Sequence, residues 1–235
     1  MIRLDKLLGH SGYGTRREIK SLCRRGDVTV NGIVVKDGAY KVDTAKDCVA
    51  VGCEAVAYEE FYYLMLHKPA GVVSAAADSR FETVLGLLPP RYGAARVFPV
   101  GRLDKDTTGL LLMTNDGTWA HNVISPKKNV PKAYFAEVDG TVPPDAAARF
   151  AAGTVLPDGC RCLPAAMRQT GDRSLRIVVR EGKFHQIKRM CKAVGLTVTA
   201  LHRHSIGALV LDETLAPGEF RELTATERDL PLISE

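Results

Sequence analysis

The 235 residues predict an α+β protein in two parts: a small basic module of helix and hairpin, then a larger sheet with flanking helices. Three observations carry that expectation. Residues 15–25 have the signals of a capped helix and run into an Asn-Gly turn between β-branched stretches. From residue 62 onward, short apolar runs end in Pro-Ala-Gly or Asn-Asp-Gly, as buried strands ending in turns do. A later stretch, residues 181–194, has helical spacing with its basic residues on one side.

Composition sets the outer limits. Hydrophobic residues make up 46% of the chain and charged ones 25%, which is ordinary for a globular protein. No apolar run approaches the roughly eighteen residues that span a bilayer. "MIRLDKLLGHSGYG" lacks the apolar core of a signal peptide, so a cytoplasmic protein is expected. Six scattered cysteines without a Cys-x-x-Cys pair read as reduced thiols. No histidine spacing suits a metal, and none is expected.

Charge placement says more than the net charge of +5. Residues 1–40 carry eight Lys/Arg against four Asp/Glu, and residues 183–204 carry five Lys/Arg and no acid, so the remainder is net acidic. Positive charge held in two places suits a polyanionic partner.

The first module reads in order. "TRRE", residues 15–18, has the form of a capping box, with Thr15 as N-cap and Glu18 reaching back. The helix should run through "RREIKSLCRR" and stop at Gly26, a good residue for the left-handed position after a helix. At about 100° per residue, Arg16, Arg17, Lys20 and Arg24 share one arc, while Ile19, Leu22 and Cys23 face inward. "VTVNGIVV" follows, where Asn31-Gly32 signals a hairpin. A one-sign stripe beside a compact hairpin favours phosphate contacts over a merely solvated face. "DCVAVGCEAVAY" supplies a last alternating strand, and residues 59–61, "EEF", mark the boundary. The expected domains are 1–58 and 61–235.

In the second part, "YYLMLHKPAGVVSA" is a strand ending in a turn. "GRLDKDTTGLLLMTNDG", residues 101–117, places Asp104 and Asp106 in a polar loop directly before the apolar run Leu110 to Met113. "KKNVPKAYFAEVDG" puts Tyr134 at the head of a strand, after a basic loop with Lys127 and Lys128. "REGKFHQIKRMCKAVG" is a helix on which His185, Lys188, Arg189 and Lys192 span an arc of roughly 100°. "LHRHSIGALVLDETLAPGEFREL" closes the sheet. Singly, each has a plain explanation: Asp104 could cap a turn, Tyr134 could be a half-buried strand aromatic, and the basic helix could be a solvated face.

In combination they resemble two known families. "RLDKLL…TRREIKSLCRRGDVTVNGIVVKDG" is similar to the S4 RNA-binding domain, over about residues 1–45. Gly101-Arg102-Leu103-Asp104, with Thr107, Gly109 and Leu110, resembles the catalytic motif of the pseudouridine synthases. "EGKFHQIKRM" and "LAPGEFREL" follow in family order, which points to the RsuA/RluB/RluE/RluF branch. The resemblance implies a mixed, mainly antiparallel sheet flanked by helices around a central cleft. It implies isomerisation of one uridine of rRNA to its C-glycoside, with no cofactor, since no redox change occurs and no atom is added. Developing charge at the ribose needs one preorganised carboxylate, and no second acid is needed because no water is activated.

The target base would leave its stack to reach that carboxylate. Asp104 matches the family aspartate, Tyr134 the tyrosine that stacks on uracil, and Lys188 the basic residue that pairs with the aspartate. Arg102 matches the residue that holds the flipped conformation, and Arg189 is taken as further support. Asp106 is expected to be structural. Arg16, Arg17, Lys20, Arg24, Lys127, Lys128, His185 and Lys192 are expected RNA contacts. The spacing from Ser125-Pro126 to Tyr134 and "ALHRHSIG" favour 16S rRNA, alone or in a partly assembled particle, as the partner of a monomer without membrane association. Two readings stay open beside it: a 23S rRNA enzyme of the same family, and a non-catalytic rRNA-binding assembly factor. A carboxylate glycosidase would want two acids and several sugar-stacking aromatics, and the chain has one Trp.

Overall fold

A computed structural model describes residues 1–233, so the last two residues of the expected second domain lie outside it. The chain forms two compact units. One comprises Met1–Tyr62 with Leu88–Phe98, and the other Tyr63–Leu87 with the chain from Pro99 onward. The division read from sequence has one boundary, at residues 59–61. In the structure the chain returns to the first unit at Leu88–Phe98, where buried Tyr92 sits edge-on to Tyr62 with ring centroids 5.2 Å apart.

The first unit holds β1 (Ile2–Arg3), α1 (Leu4–His10), α2 (Arg16–Arg25), β2 (Val28–Val30), β3 (Ile33–Val34), β4 (Lys41–Val42), β5 (Val49–Val51) and β6 (Glu54–Ala55). Local chemistry sets the ends of α2. The Glu18 amide donates to Thr15 Oγ1, and the Thr15 amide donates to Glu18 Oε2 at 2.7 Å, closing the capping box. Gly26 ends the helix at φ 86°. Asn31 and Gly32, at φ 53° and 80°, turn β2 into β3, and such a turn matches the twist of paired strands. Ile19 and Cys23 on the inner face of α2 pack with Leu4, Leu7 and Leu8 of α1 and Val28 of β2. Strands β3-β2-β5-β6 form an antiparallel sheet.

The second unit is organised by one large sheet. It begins with β7 (Tyr63–Lys68); after the return to the first unit, which holds α3 (Pro90–Ala94) and the start of β8 (Phe98–Pro99), come β9 (Thr108–Thr114), α4 (Gly117–Ile124), β10 (Lys132–Asp139) and α5 (Ala146–Ala151). Then follow β11 (Ala166–Gln169), β12 (Ser174–Val179), α6 (Gln186–Ala193), β13 (Thr197–Ile206), β14 (Leu209–Val210) and β15 (Phe220–Glu222). Seven strands run in the order β11-β12-β10-β13-β9-β7-β15. Neighbours are antiparallel except β9 and β13, which are parallel, so the sheet is mixed and mainly antiparallel.

That parallel pair brings two distant segments into close approach. Gly109 lies at φ +104°, and a Cβ there would stand 2.3 Å from the Arg203 carbonyl oxygen, closer than any side chain allows. The glycine is required by contact. Beyond it, Leu110, Leu111, Leu112 and Met113 are fully buried, as their unbroken apolar run implies. The Asn-Asp-Gly that follows is more than a turn. Asp116 accepts from the amides of Thr118 and Trp119 and so caps α4, a helix the sequence reading did not anticipate.

Candidate active site

Residues 103–107 arrive at the head of β9 as a loop with no strand partner of its own, so side chains must hold it. Ser74 does so at one end, its hydroxyl donating to the Leu103 carbonyl at 2.9 Å and accepting from the Leu103 amide at 3.0 Å. The Gly71 amide donates to the Lys105 carbonyl at 2.8 Å. Lys68, at the end of β7 and 0% exposed, donates from Nζ to the carbonyls of Pro69, Lys105 and Thr107 at 2.9, 3.3 and 2.9 Å. Burial draws the pKa of this lysine down to about 8. The carbonyl cage still favours the ammonium at neutral pH, because a buried cation is stable only among acceptors.

Held this way, Asp104 turns into a cleft lined by Arg102, Tyr134, Lys183 and His185. Tyr134 is 8% exposed and stands in register between Ile177 of β12 and Arg203 of β13. Lys188, from α6, reaches the loop from the other side. Its Nζ lies 3.3 Å from Asp104 Oδ2 and donates to Asp106 Oδ1 at 2.6 Å. Burial works against charge on Lys188, but the hydrogen bond to Asp106 and the charge of Asp104 outweigh it and raise its pKa. The same bond lowers the pKa of Asp106. His185 Nε2 is 3.6 Å from Asp104 Oδ1.

The expected site residues therefore divide. Asp104, Tyr134, Lys188, Arg102 and His185 come together. Arg189 does not join them: its guanidinium pairs with Asp158 and donates to the Phe184 carbonyl at 3.3 Å. The physical reason is angular, since consecutive helix positions diverge by about 100° and cannot share a target. Lys192 is exposed further along α6, and Lys127 and Lys128 are exposed on the 3₁₀ turn Pro126–Lys128. Arg16, Arg17, Lys20 and Arg24 are exposed together on α2.

One further expectation needs correction. The basic helix begins at Gln186, and His185 precedes it at φ 47°, a left-handed position that aims its ring at Asp104 rather than along a helical stripe. Asp106 accepts a hydrogen bond from the Lys188 side chain. Lys68, Ser74 and Lys183 were not singled out in the sequence. Lys68 carried one signal, a lysine ending an apolar strand where a buried residue was due.

A capped basic helix with a hairpin, and a mixed sheet whose cleft presents an aspartate beside a tyrosine and a lysine, define an RNA-modifying enzyme of the isomerase type. The chain belongs to the RNA pseudouridylate synthase family, whose model matches residues 62–193, with an S4 domain matched at residues 2–47. Among its relatives is an uncharacterized RNA pseudouridine synthase of Bacillus subtilis, YtzG, 44% identical over 100% of this chain and 99% of that one. Ribosomal small subunit pseudouridine synthase A of Vibrio cholerae is 41% identical over 96% of this chain and 97% of its own. A crystal structure of a pseudouridylate synthase superposes with a TM-score of 0.70 at 34% identity, covering 99% of this chain and all of that one.

Proposed function

We propose that this enzyme converts a single uridine of small-subunit 16S rRNA to pseudouridine, with Asp104 as the catalytic carboxylate. One observation carries the assignment of Asp104: of the two aspartates in the loop, it is the one that lines the cleft with Tyr134, while Asp106 is drawn outward onto Lys188. The N1–C1′ bond breaks, the freed uracil rotates, C5 bonds C1′, and the proton lost from C5 is balanced by one gained at N1. Asp104 meets the positive charge that develops at C1′. Tyr134 offers its face to the uracil, and Lys188 holds the carboxylate in place. Arg102 and His185 stand where the flipped nucleotide enters. The basic face of α2 supplies phosphate contacts from the S4 domain. The 16S substrate is supported by the Vibrio cholerae relative, a ribosomal small subunit pseudouridine synthase.

The test is incubation of 16S and 23S transcripts with the purified enzyme, followed by carbodiimide mapping of pseudouridine. One modified uridine in 16S rRNA and none in 23S rRNA is expected. Asp104→Asn should abolish modification while RNA affinity and melting temperature stay close to wild type, and Asp106→Asn should retain turnover. Full activity in Asp104→Asn would overturn the carboxylate assignment, and a single site in 23S rRNA with 16S untouched would overturn the substrate.

A further inference from the structure

The larger chamber of the cleft, about 600 Å³, runs past Asp104 and Tyr134 along β10 and β13. That is far more room than one uracil needs, and it falls within the range of clefts that take whole small ligands. Two cations stand on its floor. Lys132 lies two residues before Tyr134 and so faces the same side of β10. Arg203 lies across from Tyr134 in β13 and is 2% exposed. Its Nε donates to the Leu110 carbonyl at 2.7 Å, and Nη2 is buried without an acceptor among the described residues. Lys132 Nζ donates to the Val130 carbonyl at 3.1 Å and keeps further N–H groups. Burial, and then the charge of Arg203, draw its pKa down to about 8.

Two crowded cations, with no carboxylate paired to either among the described residues, call for acceptors from outside the protein. The aspartate that lines the chamber, Asp104, is already engaged by Lys188 and His185. The walls decide which kind of acceptor fits. Val100, Val123, Ile124 and Ile206 are apolar, which suits the face of a base rather than a hydrated phosphate. At the mouth Phe184 is 76% exposed, with its ring stacked on His185 at 3.8 Å. An exposed ring at the mouth of a cleft is a stacking platform for bases. Among bases, guanine presents two adjacent acceptors, O6 and N7, which arginine and lysine read together.

We propose that this chamber binds a guanine of the RNA that flanks the target uridine, with Arg203 and Lys132 on its acceptor edge and Phe184 stacking at the mouth. The proposal rests on the reading that an RNA strand is bent into the Asp104 cleft. It deepens that reading by adding a second base-specific contact to the same enzyme.

The test is ultraviolet crosslinking of the full chain to unmodified 16S and 23S transcripts, with adducts located by mass spectrometry. Guanosine is expected on peptides containing Phe184 or Ile124. Ile124→Trp puts an indole into the space for the guanine ring, and should remove that adduct and weaken RNA binding about tenfold, the worth of one stacked base. Adducts on α2 should persist. Lys132→Met, which keeps the walls and removes a cation, should lower the guanosine adduct in the same way and covers the case in which the tryptophan variant does not fold. Pseudouridine formed by wild type without a guanosine adduct in the chamber, or an adduct there on another base, would overturn the proposal and leave the catalytic reading intact. A guanosine adduct without pseudouridine would do the reverse.

Discussion

Lys68 carries a prediction whose size can be worked from its surroundings. Lys68→Met keeps the volume of the side chain and removes its three hydrogen bonds to the catalytic loop. Holding a buried ammonium there costs about 3 kcal/mol, the free-energy equivalent of drawing its pKa from 10.5 to about 8. The substitution relieves that cost. Against it stand the carbonyls of Pro69 and Thr107, which lose their Lys68 donor, and that of Lys105, which still accepts from Gly71. Two buried acceptors left unmet cost roughly 2–6 kcal/mol. The opposing effects leave a net loss of no more than about 3 kcal/mol at neutral pH. Catalysis should suffer more, because a loop shifted by ~1 Å can lose about a hundredfold in rate.

Tritium release from C5-labelled rRNA measures turnover, and urea unfolding measures stability. The expected signature is a fall in kcat with little change in KM, in a protein that still folds. The pH dependence supplies a second sign. The folded pKa lies below the unfolded one, so between pH 8 and 10.5 the unfolded chain binds the extra proton. Wild type therefore gains stability from this group as pH rises through that window, and the variant does not. The gap between them should widen with pH. Wild-type turnover in Lys68→Met, or a gap that stays constant, would refute the claim that this lysine positions Asp104.

Three further outcomes follow from other parts of the molecule. Lys188→Met frees Asp106 and leaves Asp104 without its nearest cation; turnover should fall, and Lys188→Arg should recover more of it than Lys188→Gln. Changing Arg16, Arg17, Lys20 and Arg24 together to Ala should flatten log K against log salt by up to ~3, at about 0.7 per lost phosphate contact, with turnover at saturating RNA nearly unchanged. Arg221 joins Asp212 and Glu227 at 2.6 and 2.7 Å; hydrogen bonds from Thr214 and then from Arg221 hold the Asp212 carboxyl at about 2, and Arg221 is the main cause that holds Glu227 at about 2. That stabilisation is present above the ordinary carboxylate range and is lost as pH falls toward 2, so Arg221→Met should unfold at a higher pH than wild type in an acid titration, with no difference at pH 7 in which residues crosslink to RNA.

What the sequence by itself determined were the features that depend on near neighbours. The capping box of Thr15 and Glu18, the stop at Gly26 and the turn at Asn31-Gly32 each involve residues within a few positions, so spacing suffices to read them. The buried strand at Leu110 to Met113 is legible for the same reason, since an unbroken apolar run must leave water wherever it goes. The motif around Asp104 also marks the family, because its residue types recur in a fixed order.

Only the tertiary structure decided what holds the site. Lys68 finds two of its three acceptors 37 and 39 residues further on, and Lys188 finds Asp106 82 residues back. Nothing in a local pattern encodes such partners. On α6, Lys188 and Arg189 sit on one basic arc, yet they serve Asp104 and Asp158, because direction in three dimensions separates neighbours in sequence. His185 reads as one more residue of a basic stripe until its left-handed backbone turns the ring toward Asp104. Gly109 reads as a loop glycine until the parallel pairing of β9 with β13 sets it against the backbone of Arg203. Short-range energies choose helices and turns, whereas the placement of a charge beside a carboxylate is set by how the finished sheet brings remote segments together.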